Sequence, residues 1–156
     1  MSPFVLGANR ANESAQQKAL FCWLNMASWC GFEVAWLPEA YTKGATQQIR
    51  PKFRLYPDLE LVYAIPNGGK RDKITAARLR AEGQKAGIPD IHFPVARAGF
   101  NSLYVEMKTT TGRLSESQEA VIPRLLAARN HVALCRNWTQ AAMVIENYFN
   151  GKIITF

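Results

Sequence analysis

The order of apolar and polar positions divides the chain into alternating helical and extended segments. From Asn12 to about Trp29, residues Glu13, Gln17, Leu20 and Leu24 recur at helical spacing, with Asn9 or Asn12 available to cap the start. Leu59 to Ile65 is short, apolar and rich in β-forming residues, and it stops at Pro66-Asn67-Gly68-Gly69, so it reads as a strand running into a tight turn. A helix is predicted over about Asp72 to Ala86, with Gly87 placed to take the left-handed conformation that closes a helix. Ile91 to Ala96 and Leu103 to Lys108 predict two strands joined by a turn at Ala98-Gly99-Phe100-Asn101, which makes a hairpin. The remainder reads as a helix from Ser115 to about Asn130, a strand from Val132 to Cys135 and a helix from about Thr139 to Phe149.

The resulting order, αβαββαβα, predicts an α/β protein with helices packed on a central mixed β-sheet. A chain of 156 residues suits one such core, so residues 1–156 are expected to form a single domain. Neither an internal repeat nor a low-complexity tract is present. The stretch from Pro38 to Asp58 interrupts the pattern with three prolines and four basic residues, Lys43, Arg50, Lys52 and Arg54. It lacks a period and reads as a long basic loop, suited to touching a ligand or merely to connecting elements.

Charge changes this picture. Nineteen Lys and Arg face twelve Asp and Glu, a net charge of +7, which would concentrate a polyanion near the surface. Nucleic acid is therefore the first partner to consider, although such a charge also serves solubility alone. The three cysteines, Cys22, Cys30 and Cys135, form no closely spaced pair and cannot all enter internal disulfides, which fits a reducing compartment. The opening MSPFVLGANRANES resembles neither a signal peptide nor a membrane anchor, so a soluble cytoplasmic protein without a membrane partner is expected. His92 and His131 are far apart with no Cys-x-x-Cys nearby, which argues against structural zinc. Trp23, Trp29, Trp36 and Trp138 read as core or interface residues rather than base-stacking platforms.

The candidate chemistry lies on the hairpin. Asp90, in Gly87-Ile88-Pro89-Asp90, stands just before one strand, and Glu106-Met107-Lys108 ends the next. Alternation puts Tyr104, Glu106 and Lys108 on one face, and adjacent strands would bring the two carboxylates together. Two close carboxylates repel unless a proton or cation lies between them, and their hard oxygens suit Mg²⁺ or Mn²⁺. Such a cation polarises a phosphodiester and lowers the pKa of a bound water, while a lysine beside it orients that water. Each half of this pattern alone is common by chance; the two together in a hairpin are not.

With Glu13 and Gln17, Pro66 to Arg71, Gly83 to Asp90, Val105 to Lys108, and Gly112-Arg113-Leu114-Ser115 with Gln118, the chain resembles the VRR-NUC family, the virus-type replication-repair nucleases of the PD-(D/E)xK superfamily. The resemblance implies a restriction-endonuclease-like core. It also implies metal ligation by Asp90, Glu106, the Met107 carbonyl and Glu13, with Lys108 handling the nucleophilic water. Glu13 also fits a first-turn acid favoured by the helix dipole. Gln118 fits an S-x-x-Q capping box with Ser115, whereas the resemblance puts it beside the active centre. The Pro38 to Asp58 stretch matches no fixed motif of that family, so substrate preference stays open.

Asn67-Gly68-Gly69-Lys70-Arg71 could offer backbone N–H groups and two cations to a phosphate, but it lacks P-loop spacing. Arg71, Arg78 and Lys85 recur every seven residues along the predicted helix, as a DNA-tracking stripe or a solvated face. His92 shares the strand face of Asp90. The expected function is a structure-selective endonuclease for branched DNA such as Holliday junctions. The alternatives are a sequence-specific restriction endonuclease and a non-catalytic DNA-binding module that keeps a nuclease fold. Paired cuts across a four-way junction call for two centres, hence a homodimer. The apolar end Ile153-Ile154-Thr155-Phe156, with Trp138 or Phe149, offers surface for pairing or for docking on its own core.

Overall fold

The computed structural model describes residues 12–42, 51–66 and 73–156. Helix α1 (Glu13–Cys30) starts where Asn12 caps it, its side chain accepting from the Ala15 N–H at 2.9 Å. The buried side of α1 carries Gln16, Ala19, Leu20, Trp23, Leu24 and Ala27. Gly31, at φ +89°, stops the helix, and the short helix α2 (Phe32–Ala35) follows. Asn9 lies outside the described residues.

The sheet has four strands in the order β1 (Tyr63–Ala64), β2 (Ile91–Phe93), β3 (Leu103–Met107) and β4 (His131–Cys135). β1 to β3 are antiparallel neighbours, and β4 runs parallel to β3. A parallel return needs a crossover, which helix α4 (Glu116–Ala127) supplies; helix α3 (Lys73–Ala81) lies between β1 and β2 in the chain. The β2–β3 turn carries Ala98 at φ +52° and Gly99 at φ +82°, with Arg97 and Phe100 exchanging backbone hydrogen bonds at 3.2 and 2.9 Å. Two successive positive φ values match the right-handed twist of the flanking strands.

One sheet face is the core. Ile91, Phe93, Leu103, Val105, Met107, Ala133 and Cys135 are buried there, and helix α5 (Trp138–Phe149) packs on β3 and β4 with α1 against it. The Gln16 side chain accepts from the Trp138 N–H at 2.8 Å, so a buried polar group on α1 caps the start of α5. This is an α/β architecture, a mixed sheet flanked by helices, as the hydrophobic pattern predicts. No helix among the described residues is long and apolar enough to cross a membrane.

The structure corrects several expectations. Leu59 to Ile65 is not one strand: Pro57–Leu61 forms a 3₁₀ turn and only Tyr63–Ala64 pairs. Pro57 stands at the start of that turn with a fixed, turn-compatible φ, and the turn takes up Leu59 to Leu61. The predicted helix to Ala86 stops at Ala81, where Gly83 at φ +102° receives the chain and the Gln84 N–H donates back to the Leu79 carbonyl at 2.9 Å. Arg54 of the basic stretch is engaged in the fold: its guanidinium lies 4.2 Å over the Trp29 ring, pairs with Glu60 at 2.6 Å and donates to the Ser28 hydroxyl at 3.0 Å. Lys43 and Arg50 lie outside the described residues. Trp23 and Trp138 are fully buried, and Phe149 packs edge-on against Phe32, so the exposed apolar side chains of the proposed C-terminal patch are Ile153 and Phe156, with Ile154 half-buried.

Candidate active site

The β2–β3 register pairs Ile91 with Val105, so the next pair toward the open end is Asp90 and Glu106. Pro89 stands opposite Met107 by the same register, and its missing N–H means it offers nothing to the Met107 carbonyl. The ladder changes partner there: the Met107 N–H donates to Asp90 Oδ2 at 2.9 Å. The proline thus ends the ladder, and the Asp90 carboxylate takes over one of its bonds.

Glu106 is 1% exposed. Its Oε1 lies 2.9 Å from Lys108 Nζ and accepts from Gln118 Nε2 at 2.5 Å, whereas Oε2 is buried with no hydrogen-bond partner. Burial pushes the Glu106 carboxyl above its ordinary pKa; the Lys108 hydrogen bond opposes this, the neighbouring Asp90 charge adds to it, and Gln118 opposes it less. A buried carboxylate oxygen without a donor, on a residue that stands opposite Asp90 in the strand register and feels its charge, fits a hard divalent cation. Asp90, Glu106 and the Met107 carbonyl are the groups that could hold one.

Gln118 fills both roles open to it in the sequence. Its Oε1 accepts from the Ser115 N–H at 3.0 Å and Ser115 Oγ accepts from the Gln118 N–H at 3.4 Å, which closes the capping box. Its Nε2 is left to reach Glu106. The crossover helix is therefore capped and fastened to the site by one side chain.

A cavity of about 340 Å³ opens over this centre. Asp90, Glu106, Lys108 and Gln118 line it with Glu13 from α1, Arg80 from α3 and Lys85. Glu13 faces the cavity, but among the described residues no three His, Cys, Asp or Glu side chains gather closely enough to hold a metal together. Gln17 does not line it. Lys85 does, but beyond the end of α3, and Arg78 is exposed and pairs with Glu82 at 3.5 Å, so the predicted single-helix stripe is not formed. Asn67, Gly68, Gly69, Lys70 and Arg71 lie outside the described residues.

Two residues escape the sequence reading. Arg80 falls outside the seven-residue spacing of the basic stripe, yet it reaches the cavity from α3. Arg136, on the turn after β4, donates to the carbonyls of Thr109 at 2.9 Å and Gly112 at 2.5 Å and so clamps the loop that follows Lys108. Its partners are backbone atoms of a distant segment, which leave no signal in the sequence.

The family model of the VRR-NUC domain matches residues 38–138, more than half of the chain. That span contains Asp90, Glu106, Lys108 and Gln118 and takes in the basic stretch; Glu13 precedes it. A solved structure described as a VRR_NUC domain protein superposes with a TM-score of 0.62 at 18% identity, covering 92% of both chains. Comparison with curated proteins found no match.

Proposed function

The chain belongs to the VRR-NUC domain family, and from that premise we propose that it is a metal-dependent endonuclease that hydrolyses phosphodiester bonds in branched DNA. One observation carries the reading: Asp90, Glu106 and Lys108 converge at neighbouring ends of β2 and β3, with Glu106 Oε2 buried and unpartnered. Asp90, Glu106 and the Met107 carbonyl would hold Mg²⁺ or Mn²⁺, which supplies charge to the scissile phosphate and acidifies a water. Glu13 would extend the negative wall of the cavity. Lys108, only 15% exposed in its side chain and already 2.9 Å from Glu106, orients the attacking water and offsets charge that builds on the phosphate. Gln118 fixes Glu106 by one oxygen, a positioning role. Arg80 and Lys85 receive the flanking phosphates.

Action on two strands of a four-way junction from a domain with one centre calls for a second copy, so we propose a homodimer. Linear, flap, fork and four-way DNA, incubated with Mg²⁺ and with Mn²⁺, test the substrate: cleavage confined to branched forms is expected. Discrete fragments of linear plasmid would make it a restriction-type enzyme. Tight binding of every form without cleavage under either metal would make it a non-catalytic module. A strict monomer by sedimentation at working concentration would overturn the pairing.

A further inference from the structure

Three aromatic side chains stand in a row across the sheet on the face that carries the site. Tyr63 of β1 lies opposite His92 of β2, and His92 opposite Tyr104 of β3. The His92 and Tyr104 rings are stacked, 4.2 Å apart and 15° from parallel. Tyr63 meets His92 edge-on at 5.4 Å and 82°, and its hydroxyl is 2.8 Å from His92 Nδ1. The row ends in solvent, because Tyr63 is 48% exposed. Cross-strand packing alone accounts for the inner pair, His92 and Tyr104. It does not account for a large ring held half in water by a hydrogen bond at the edge of the described sheet.

The row adjoins the centre. From the His92–Tyr104 pair to the Asp90–Glu106 pair is two residues along each strand, about 7 Å. A base resting on the row and a phosphate over the carboxylates would then belong to neighbouring nucleotides of one strand. Arg80 and Lys85, on the wall of the cavity, supply the charge such a strand needs. Bases inside a duplex stack on each other and offer no face, so the occupant must be unpaired. The Tyr63–His92 hydrogen bond holds the ring before the base arrives, which lowers the ordering cost of binding.

We propose that Tyr63, with His92 and Tyr104 behind it, seats one unpaired base beside the scissile phosphate, so that the DNA cut by this protein carries a single-stranded nucleotide next to the cleaved bond. The proposal rests on the nuclease reading for the identity of the strand. Stacking is tolerant of base identity, so this seat selects structure rather than sequence.

The test uses fork DNA with 2-aminopurine as the unpaired nucleotide and a fully paired duplex with the same label, both titrated in chelator so that nothing is cut. Binding of the fork is expected to quench the label. Tyr63→Ala should weaken fork binding roughly 5- to 100-fold while leaving duplex binding unchanged, and Tyr63→Phe, which keeps the ring but loses the hydrogen bond to His92 that orders it, should fall between the two. Circular dichroism of both variants confirms the fold. Equal fork affinity in wild type and Tyr63→Ala overturns the proposal, as does an equal loss on fork and duplex. A Tyr63→Ala change in sedimenting mass without a change in quenching also overturns it, and assigns the ring to a second copy of the chain. If the wild type quenches the label yet cuts no DNA with either metal, the nuclease reading fails and the base seat stands. If Tyr63→Ala cuts forks with unchanged KM, the seat fails and the nuclease stands.

Discussion

Glu106 is buried, held by two donors on one oxygen and by none on the other. That asymmetry leaves one oxygen for a cation and yields a prediction independent of turnover. A ligand present at about a hundred times its Kd stabilises the native state by about 2.7 kcal/mol. For a domain of this size each kcal/mol is about 2–4 °C in Tm. Saturating Mn²⁺ should therefore raise the melting temperature of the wild type by roughly 5–10 °C over chelator. Glu106→Gln and Asp90→Asn should each lose most of that shift and cut no DNA, since each replaces a hard anionic ligand with an amide. Lys108→Ala should also stop cleavage but retain the shift, because the lysine binds no cation. A full Mn²⁺ shift in Glu106→Gln would remove Glu106 from the metal site.

At the scale of elements, the site is held together by the approach of the Gly87 turn to the first turn of α4. Gly87 sits at φ +83°, and a Cβ there would collide with the Ser117 carbonyl. Gly83, at φ +102°, has nothing near its missing Cβ. Gly83→Ala should thus cost only the strain of a positive φ, more than about 1 kcal/mol in chemical denaturation. Gly87→Ala should cost more and also weaken Mn²⁺ binding, because the collision moves the turn that carries Gln118 away from Glu106. Equal Mn²⁺ affinity in the two variants would show that the turn does not position the site. The hairpin, α1, α5 and the Glu106–Lys108 pair were legible in the sequence because strand alternation and Asn caps are local. The docking of Gly87 on Ser117 was not legible: the glycine read as a helix end, and its constraint comes from a segment thirty residues away. The early stop of α3 at Ala81 was likewise hidden, since the helix pattern ran on to Gly87 whereas the chain turns at Gly83. Arg80 and Arg136 act through tertiary placement, and spacing alone could not single them out.

Across the whole molecule the sheet separates two tasks, a dry face that carries stability and an opposite face that carries the site. His131 belongs to the dry side: it is buried at the start of β4, its ring lies 5.2 Å from that of Phe100, and its Nε2 has no hydrogen-bond partner. Burial pushes the His131 pKa below its ordinary value, and His92 is shifted the same way for the same reason. A histidine depressed in the native state stays neutral there while the unfolded chain takes up a proton near pH 6.5. Below that pH the unfolded state binds more protons, so stability rises with pH through this window and is lost as pH falls below about 6.5. Urea unfolding in chelator, which leaves metal out of the balance, should show a lower midpoint at pH 5.5 than at pH 7.5. His131→Gln should flatten that slope without abolishing it, because His92 contributes in the same direction. Since α1, α5 and the sheet share one core, the site should unfold with the rest in a single transition. A slope unchanged by His131→Gln would place the acid sensitivity elsewhere, and an early phase seen only by a probe at Tyr63 would divide the two faces into separate units.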